Sequence, residues 1–73
     1  MRRSDLTLIT RTRADLASGR ARKARESAGL HQRAVASALG VTRQAVGHWE
    51  SGRYAPSDEH ALAYGRLLRD LAR

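Results

Sequence analysis

Three histidines, His31, His48 and His60, are the side chains of this sequence best suited to hold a metal or move a proton, and their spacing suits neither task. No two stand four apart on one helical face, and no cysteine is present to complete a ligand set, so no metal site and no cofactor are expected. Serine, histidine and aspartate all occur, but no Gly-x-Ser-x-Gly turn presents them as a nucleophile with its base. The glycines at 47 and 52 read as a helix end rather than a phosphate-binding loop. Catalysis is not expected. What remains is arginine: all but one of the 14 basic residues are Arg, against 7 acidic residues, for a net charge of +7. A field of that sign and size attracts polyanions, either nucleic acid or an anionic membrane surface. A membrane-surface helix needs a broad face of large apolar groups, and this chain has no Phe and one Trp. No apolar run approaches the roughly 18 residues that span a bilayer, and no signal sequence is visible.

Seventy-three residues hold at most one domain. Residues 1–11 lack a clean period: Leu6, Leu8 and Ile9 sit among Arg2, Arg3 and Arg11, which predicts a mobile or loosely docked arm. A helix is expected from Thr12, an N-cap candidate followed by Asp15, to the stop at Gly29. Its apolar stripe would be Ala14, Ala17, Ala21, Ala24 and Ala28, with a bend or late start at Gly19. A second helix fits Gln32 to Leu39, with Val35, Ala36 and Leu39 inward, and Gly40 ends it. Thr42 can cap a third, Arg43 to Ser51. After a Gly- and Pro-containing loop, Ser57 caps a last helix with Asp58 and Glu59 in its first turn. Ala61, Tyr64, Leu68 and Leu71 line its inner face, with Leu62 and Leu67 beside them. Nothing alternates like a strand. The expected fold is all-α, a compact four-helix domain over residues 12–73.

Residues 32–51 carry the most information. Two short helices flank Leu39-Gly40-Val41-Thr42, the length of turn that sets helices at about 90–120° in the helix-turn-helix unit. Ala36 lies where the two helices meet, and a larger side chain there would part them. Val41, Val46 and Trp49 would plug the angle between them as structural core, and Trp49 is expected there rather than on a nucleobase.

The run AGLHQRAVASALGVTRQAVGHWESGRYAP resembles the Cro/C1-type (XRE-like) helix-turn-helix family of phage and bacterial repressors, with a lambda-repressor-like fold. The likeness is strong from Ala28 to Pro56 and weaker over Arg20 to Leu71. It implies sequence-specific binding of double-stranded DNA by a repressor-like transcriptional regulator. By position, Arg43, Gln44, Gly47 and His48 would face base edges in the major groove. The chemistry agrees, since Gln pairs bidentately with adenine and Arg with guanine. Gln44 is the first choice for base reading, then Arg43, while Gly47 departs from the usual polar residue. Gln32, Thr42, Ser51, Gly52 and Arg53 would meet phosphates, with backbone amides contributing in the loop after the third helix. Arg25 and Glu50 align with a structural ion pair found in some relatives.

Relatives usually bind as dimers, many through a fifth helix, so this chain is expected to stop one element short. It would dimerise through its last helix or its arm, or only on DNA. No small-molecule effector is expected, and the location implied is cytoplasmic. The alternative is a protein-docking helix-turn-helix module, an antitoxin or phage accessory factor, with little DNA sequence preference.

Overall fold

The computed structural model describes residues 1–72, and every element in it is helical. Helix α1 runs Arg3–Ser18, α2 Arg20–Ser27, α3 Gln32–Leu39, α4 Arg43–Glu50 and α5 Asp58–Leu71. The all-α expectation holds, but the described residues form five helices, not four. Helix α5 is the last helix expected after the Ser57 cap. The additional helix arises in the first third of the chain, where the expected arm and single helix are instead α1 and α2.

The segment read as an arm is the first half of α1. Asp5 accepts a bond from the Arg2 backbone N–H (3.4 Å), occupying an amide that the first turn would otherwise leave unpaired. The helix then continues through Thr12, which is therefore not a cap but a fully buried residue of the α1 interior. The inward stripe is Ile9, Thr12 and Leu16, at spacings of three and four. Of the expected alanine stripe only Ala21 is buried; Ala14, Ala17, Ala24 and Ala28 are exposed. Gly19, at φ +86°, closes α1 and opens α2, so the bend expected there is a complete break. The packed body thus begins at Arg3, ahead of the boundary expected at residue 12, and Arg73 lies outside the described residues.

Helix α1 lies along α5, and the closeness of that contact depends on Gly65. A Cβ added there would collide with Thr12 Oγ1 and come within 2.9 Å of Leu8 Cγ. Leu16, Ala21, Val35, Ala36, Val46, Trp49 and Tyr64 form the core where the helices meet. Trp49 is packed near Tyr64 (ring centroids 6.4 Å) and His60 (5.6 Å). Leu68 is half-buried, and Leu71, expected inward, is exposed at the end of α5.

Between α3 and α4 the chain turns as its sequence requires. Gly40 takes φ +71°, a left-handed conformation that glycine adopts without steric cost. Its N–H reaches Ser37 O (3.3 Å), and Val41 N–H reaches Ala36 O (2.9 Å). This pair of bonds closes α3 and aims the chain into α4. Thr42 then caps α4 by accepting from Ala45 N–H (3.1 Å), and Ser57 caps α5 from His60 N–H (3.3 Å).

Gly65→Ala is expected to destabilise the fold by about 1–3 kcal/mol through overpacking against α1. A urea denaturation series would show it as a lower midpoint with an unchanged slope.

Candidate nucleic-acid interface

Helices α3 and α4 present their N-termini on one side of the molecule, around an open hollow of about 720 Å³ lined in part by His31, Gln32, Arg33, Ser37 and Arg43. Arg43 and Gln44 project from the first turn of α4 and are exposed, as is Thr42. Gly47 and His48 follow on α4, partly exposed. The Gly47 position faces Gln32: a Cβ there would meet Gln32 Oε1 at 3.6 Å, ordinary contact distance. The ring of His48 meets that of Tyr54 edge-on, with Nδ1 3.3 Å from the phenol oxygen.

After α4 the backbone is committed. Ser51 N–H bonds Gly47 O (3.0 Å), Gly52 N–H bonds Trp49 O (3.3 Å) and Arg53 N–H bonds His48 O (2.9 Å). Ser51 Oγ also donates to His48 O (3.2 Å). The amides expected to hold a phosphate are thus occupied in closing the helix, while the Arg53 side chain is exposed. By contrast, Thr42 Oγ1 accepts from Ala45, which leaves its hydroxyl proton to donate outward. At α3, His31 makes no side-chain cap, so the first N–H groups of that helix remain open to an anion.

Behind the surface lies a buried polar joint. Arg25 grips Glu50 with both arms, Nε to Oε2 at 2.7 Å and Nη2 to Oε1 at 2.9 Å. Its third nitrogen, Nη1, donates to Leu30 O (2.7 Å), pinning the link between α2 and α3. Gln32 Nε2 donates to Glu50 Oε1 (3.0 Å), and the Tyr64 hydroxyl donates to Oε2 (2.6 Å). The side chains of the ion pair are 7% and 2% exposed. Burial pushes the Glu50 carboxyl up, but hydrogen bonds from Arg25, Tyr64 and Gln32 outweigh it and hold the group below its ordinary range. The bond to Glu50 raises the Arg25 guanidinium. Burial, aided by the bond to Glu50, pushes the Tyr64 phenol well above its usual range.

Charge is unevenly distributed. Asp5, Asp15, Glu26, Glu50, Asp58 and Asp70 pair with Arg66, Arg20, Arg22, Arg25, Arg13 and Arg69, all outside α3 and α4 except Glu50 itself. No acidic residue occurs between Ser27 and Trp49. Among the described residues, Arg33, Arg43 and Arg53 therefore stand without a carboxylate partner around the two helix N-termini and the loop after α4. Arg3, Arg11 and Lys23 are likewise unpaired on α1 and α2.

Two residues of this site escaped the sequence reading. Arg33 follows Gln32 at the open end of α3, and the signal available for it was the acid-free stretch around it. Tyr64 reads as core by its period, and nothing in the sequence tells that its hydroxyl reaches Glu50.

A family model described as helix-turn-helix matches residues 22–71. The chain belongs to the Cro/C1-type helix-turn-helix family. The match takes in α2 to α5 and stops short of α1, the helix whose place in the fold was misread. No curated protein and no solved structure matches the chain. No helix among the described residues is long and apolar enough to cross a membrane.

Glu50→Ala leaves Arg25 buried without its counter-charge and should cost about 3–5 kcal/mol. Glu26→Ala, which breaks an exposed pair within α2, should cost no more than about 0.5 kcal/mol. Chemical denaturation of both variants checks the contrast. The pH profile follows from the two shifts. The lowered Glu50 contributes stability above about pH 4.3 that is lost as pH falls through its folded value. The raised Tyr64 contributes stability below about pH 10 that is lost as pH climbs toward its folded value. Thermal melts of Tyr64→Phe should accordingly show a shallower alkaline decline than the unaltered chain.

Proposed function

We propose that this protein binds double-stranded DNA in a sequence-specific manner and acts as a repressor-like transcriptional regulator, with α4 entering the major groove. The observation that carries the reading is the presentation of Arg43 and Gln44, exposed in the first turn of α4, on an acid-free surface. An α-helix with its side chains is about 10–12 Å across, which suits a groove about 12 Å wide. Arg43 and Gln44 would read base edges, and His48 would lie one turn deeper. Phosphates on either side would be met by Thr42, the open N-terminus of α3 with Gln32 and Arg33, and the Arg53 side chain.

Gly47 removes one side chain from the reading face, so specificity falls on fewer groups. Two copies on half-sites one turn apart would be centred about 34–36 Å from each other. The Cα trace extends 30 × 28 × 23 Å, so neighbouring copies can come close at that spacing without overlapping. Occupancy of a promoter would block transcription by occlusion.

Neutralising about four to six phosphates per subunit predicts a log–log salt slope near −4 to −5. Titrating a fluorescent duplex at several salt concentrations measures it, and a slope near zero would refute DNA binding. Site selection from a random duplex library then tests sequence reading. A defined motif that Gln44→Ala relaxes at one position is expected. Salt-sensitive binding that enriches no motif would instead mark a protein that coats nucleic acid by charge.

A further inference from the structure

Gln32 occupies an unusual place, between the buried joint and the exposed tip of α4. A carboxylate only accepts hydrogen bonds, so Glu50 fixes which end of the Gln32 amide faces inward: the NH2 group, at 3.0 Å. The amide oxygen must then point outward. There it accepts from Arg43 Nη1 at 3.1 Å. The Glu50 carboxylate is itself fixed by donors on both oxygens, and the one that comes from α5 is the Tyr64 hydroxyl, at 2.6 Å on Oε2. A continuous chain of bonds therefore runs from Tyr64 through Glu50 and Gln32 to the guanidinium of Arg43, which keeps Nε and Nη2 free to donate.

We propose that Tyr64 is a positioning residue for base reading, holding Arg43 through Glu50 and Gln32 so that its fork meets the paired acceptors of a guanine. The inference rests on the DNA-binding reading above and deepens it. It makes Arg43 rather than Gln44 the principal reader, and it names the base. Arginine held at one nitrogen loses less rotamer freedom on binding, and its two remaining nitrogens match guanine O6 and N7. Tyr64 is fully buried, so it cannot touch a duplex itself, and any effect of its hydroxyl on sequence preference must travel along this chain of bonds. Gln44, next in the helix, makes no side-chain hydrogen bond comparable to that of Arg43.

The test is selection from a random duplex library with the unaltered chain, Arg43→Ala, Gln32→Ala and Tyr64→Phe, each first checked for folding by circular dichroism. The unaltered chain should prefer a G·C pair at one position of the half-site by roughly 5- to 150-fold, the range of one bidentate contact. Arg43→Ala should abolish that preference and no other. Gln32→Ala and Tyr64→Phe should weaken it severalfold at the same position, with the remaining motif and the salt slope unchanged.

The relay is overturned if Arg43→Ala weakens binding equally on all sequences and flattens the salt slope by about one, the mark of a phosphate contact. It is equally overturned if Tyr64→Phe leaves the guanine preference intact. Should Tyr64→Phe fail to fold, Gln32→Ala decides, because an unaltered guanine preference there breaks the relay at its middle member. A motif lacking the guanine refutes the relay while sparing the DNA-binding reading. Enrichment of nothing by the unaltered chain refutes both.

Discussion

A carboxylate taken out of water must be met by donors or it will not stay charged, and Glu50 meets that requirement by drawing on three other helices. Arg25 reaches it from α2, Gln32 from α3 and Tyr64 from α5, while Arg25 also holds the carbonyl of Leu30 in the link between α2 and α3. No pair of these elements can shift without leaving a buried charge or donor unpaired. In a chain of this size the apolar core is small and much of it comes from modest side chains such as Ala21, Ala36 and Ala61. The joint supplies geometric definition that such a core gives poorly: it sets α4 against α3 at one angle and fixes the orientation of the Gln32 amide at the surface.

The arrangement of charge follows the same division between body and surface. Six carboxylates lie against arginines, so the paired arginines add little to the field of the molecule. The excess positive charge is left on α3, α4 and the loop after α4, and on the outer faces of α1 and α2. Most of the exposed pairs stabilise the fold only slightly. Their larger effect is to remove negative potential from the surroundings of Arg33, Arg43 and Arg53 while leaving those three uncompensated. Arg43 belongs to both arrangements, one of the three uncompensated charges and the one tied by Gln32 to the buried joint.

The helix-turn-helix was legible in the sequence because each of its residues has a local mechanical reason. Gly40 stands where the backbone needs a positive φ, Thr42 where an amide needs a cap, and Val46 and Trp49 where a helix needs an inner face. Helix α1 was not legible for the opposite reason. Its buried face is only Ile9, Thr12 and Leu16, one of them polar, and arginines surround it, so no period stands out. What holds it is a partner far along the chain: Gly65, which lets α1 approach α5, and Arg13, which bonds Pro56 O (2.9 Å) and Asp58 (2.8 Å). The alanine spacing from 14 to 28 was a true regularity with the wrong meaning, because Gly19 breaks the helix and rotates the second half out of phase. At the site, the Arg25–Glu50 pairing was implied by family likeness. The contribution of Tyr64 depends on three-dimensional closure that no local pattern encodes. The amides at Ser51, Gly52 and Arg53 are committed by a local helix end closed at Gly52, φ +78°, a pattern that the glycine there does signal.

Whether α4 works inside the major groove can be read by chemical footprinting. Dimethyl sulfate modifies guanine N7 in the major groove and adenine N3 in the minor groove, so one reaction reports on both. On a duplex enriched by the protein, guanine N7 should be protected within the selected motif, with adenine N3 reactivity unchanged there. Protection confined to adenine N3, with guanine N7 reacting as in free DNA, would contradict that placement of α4.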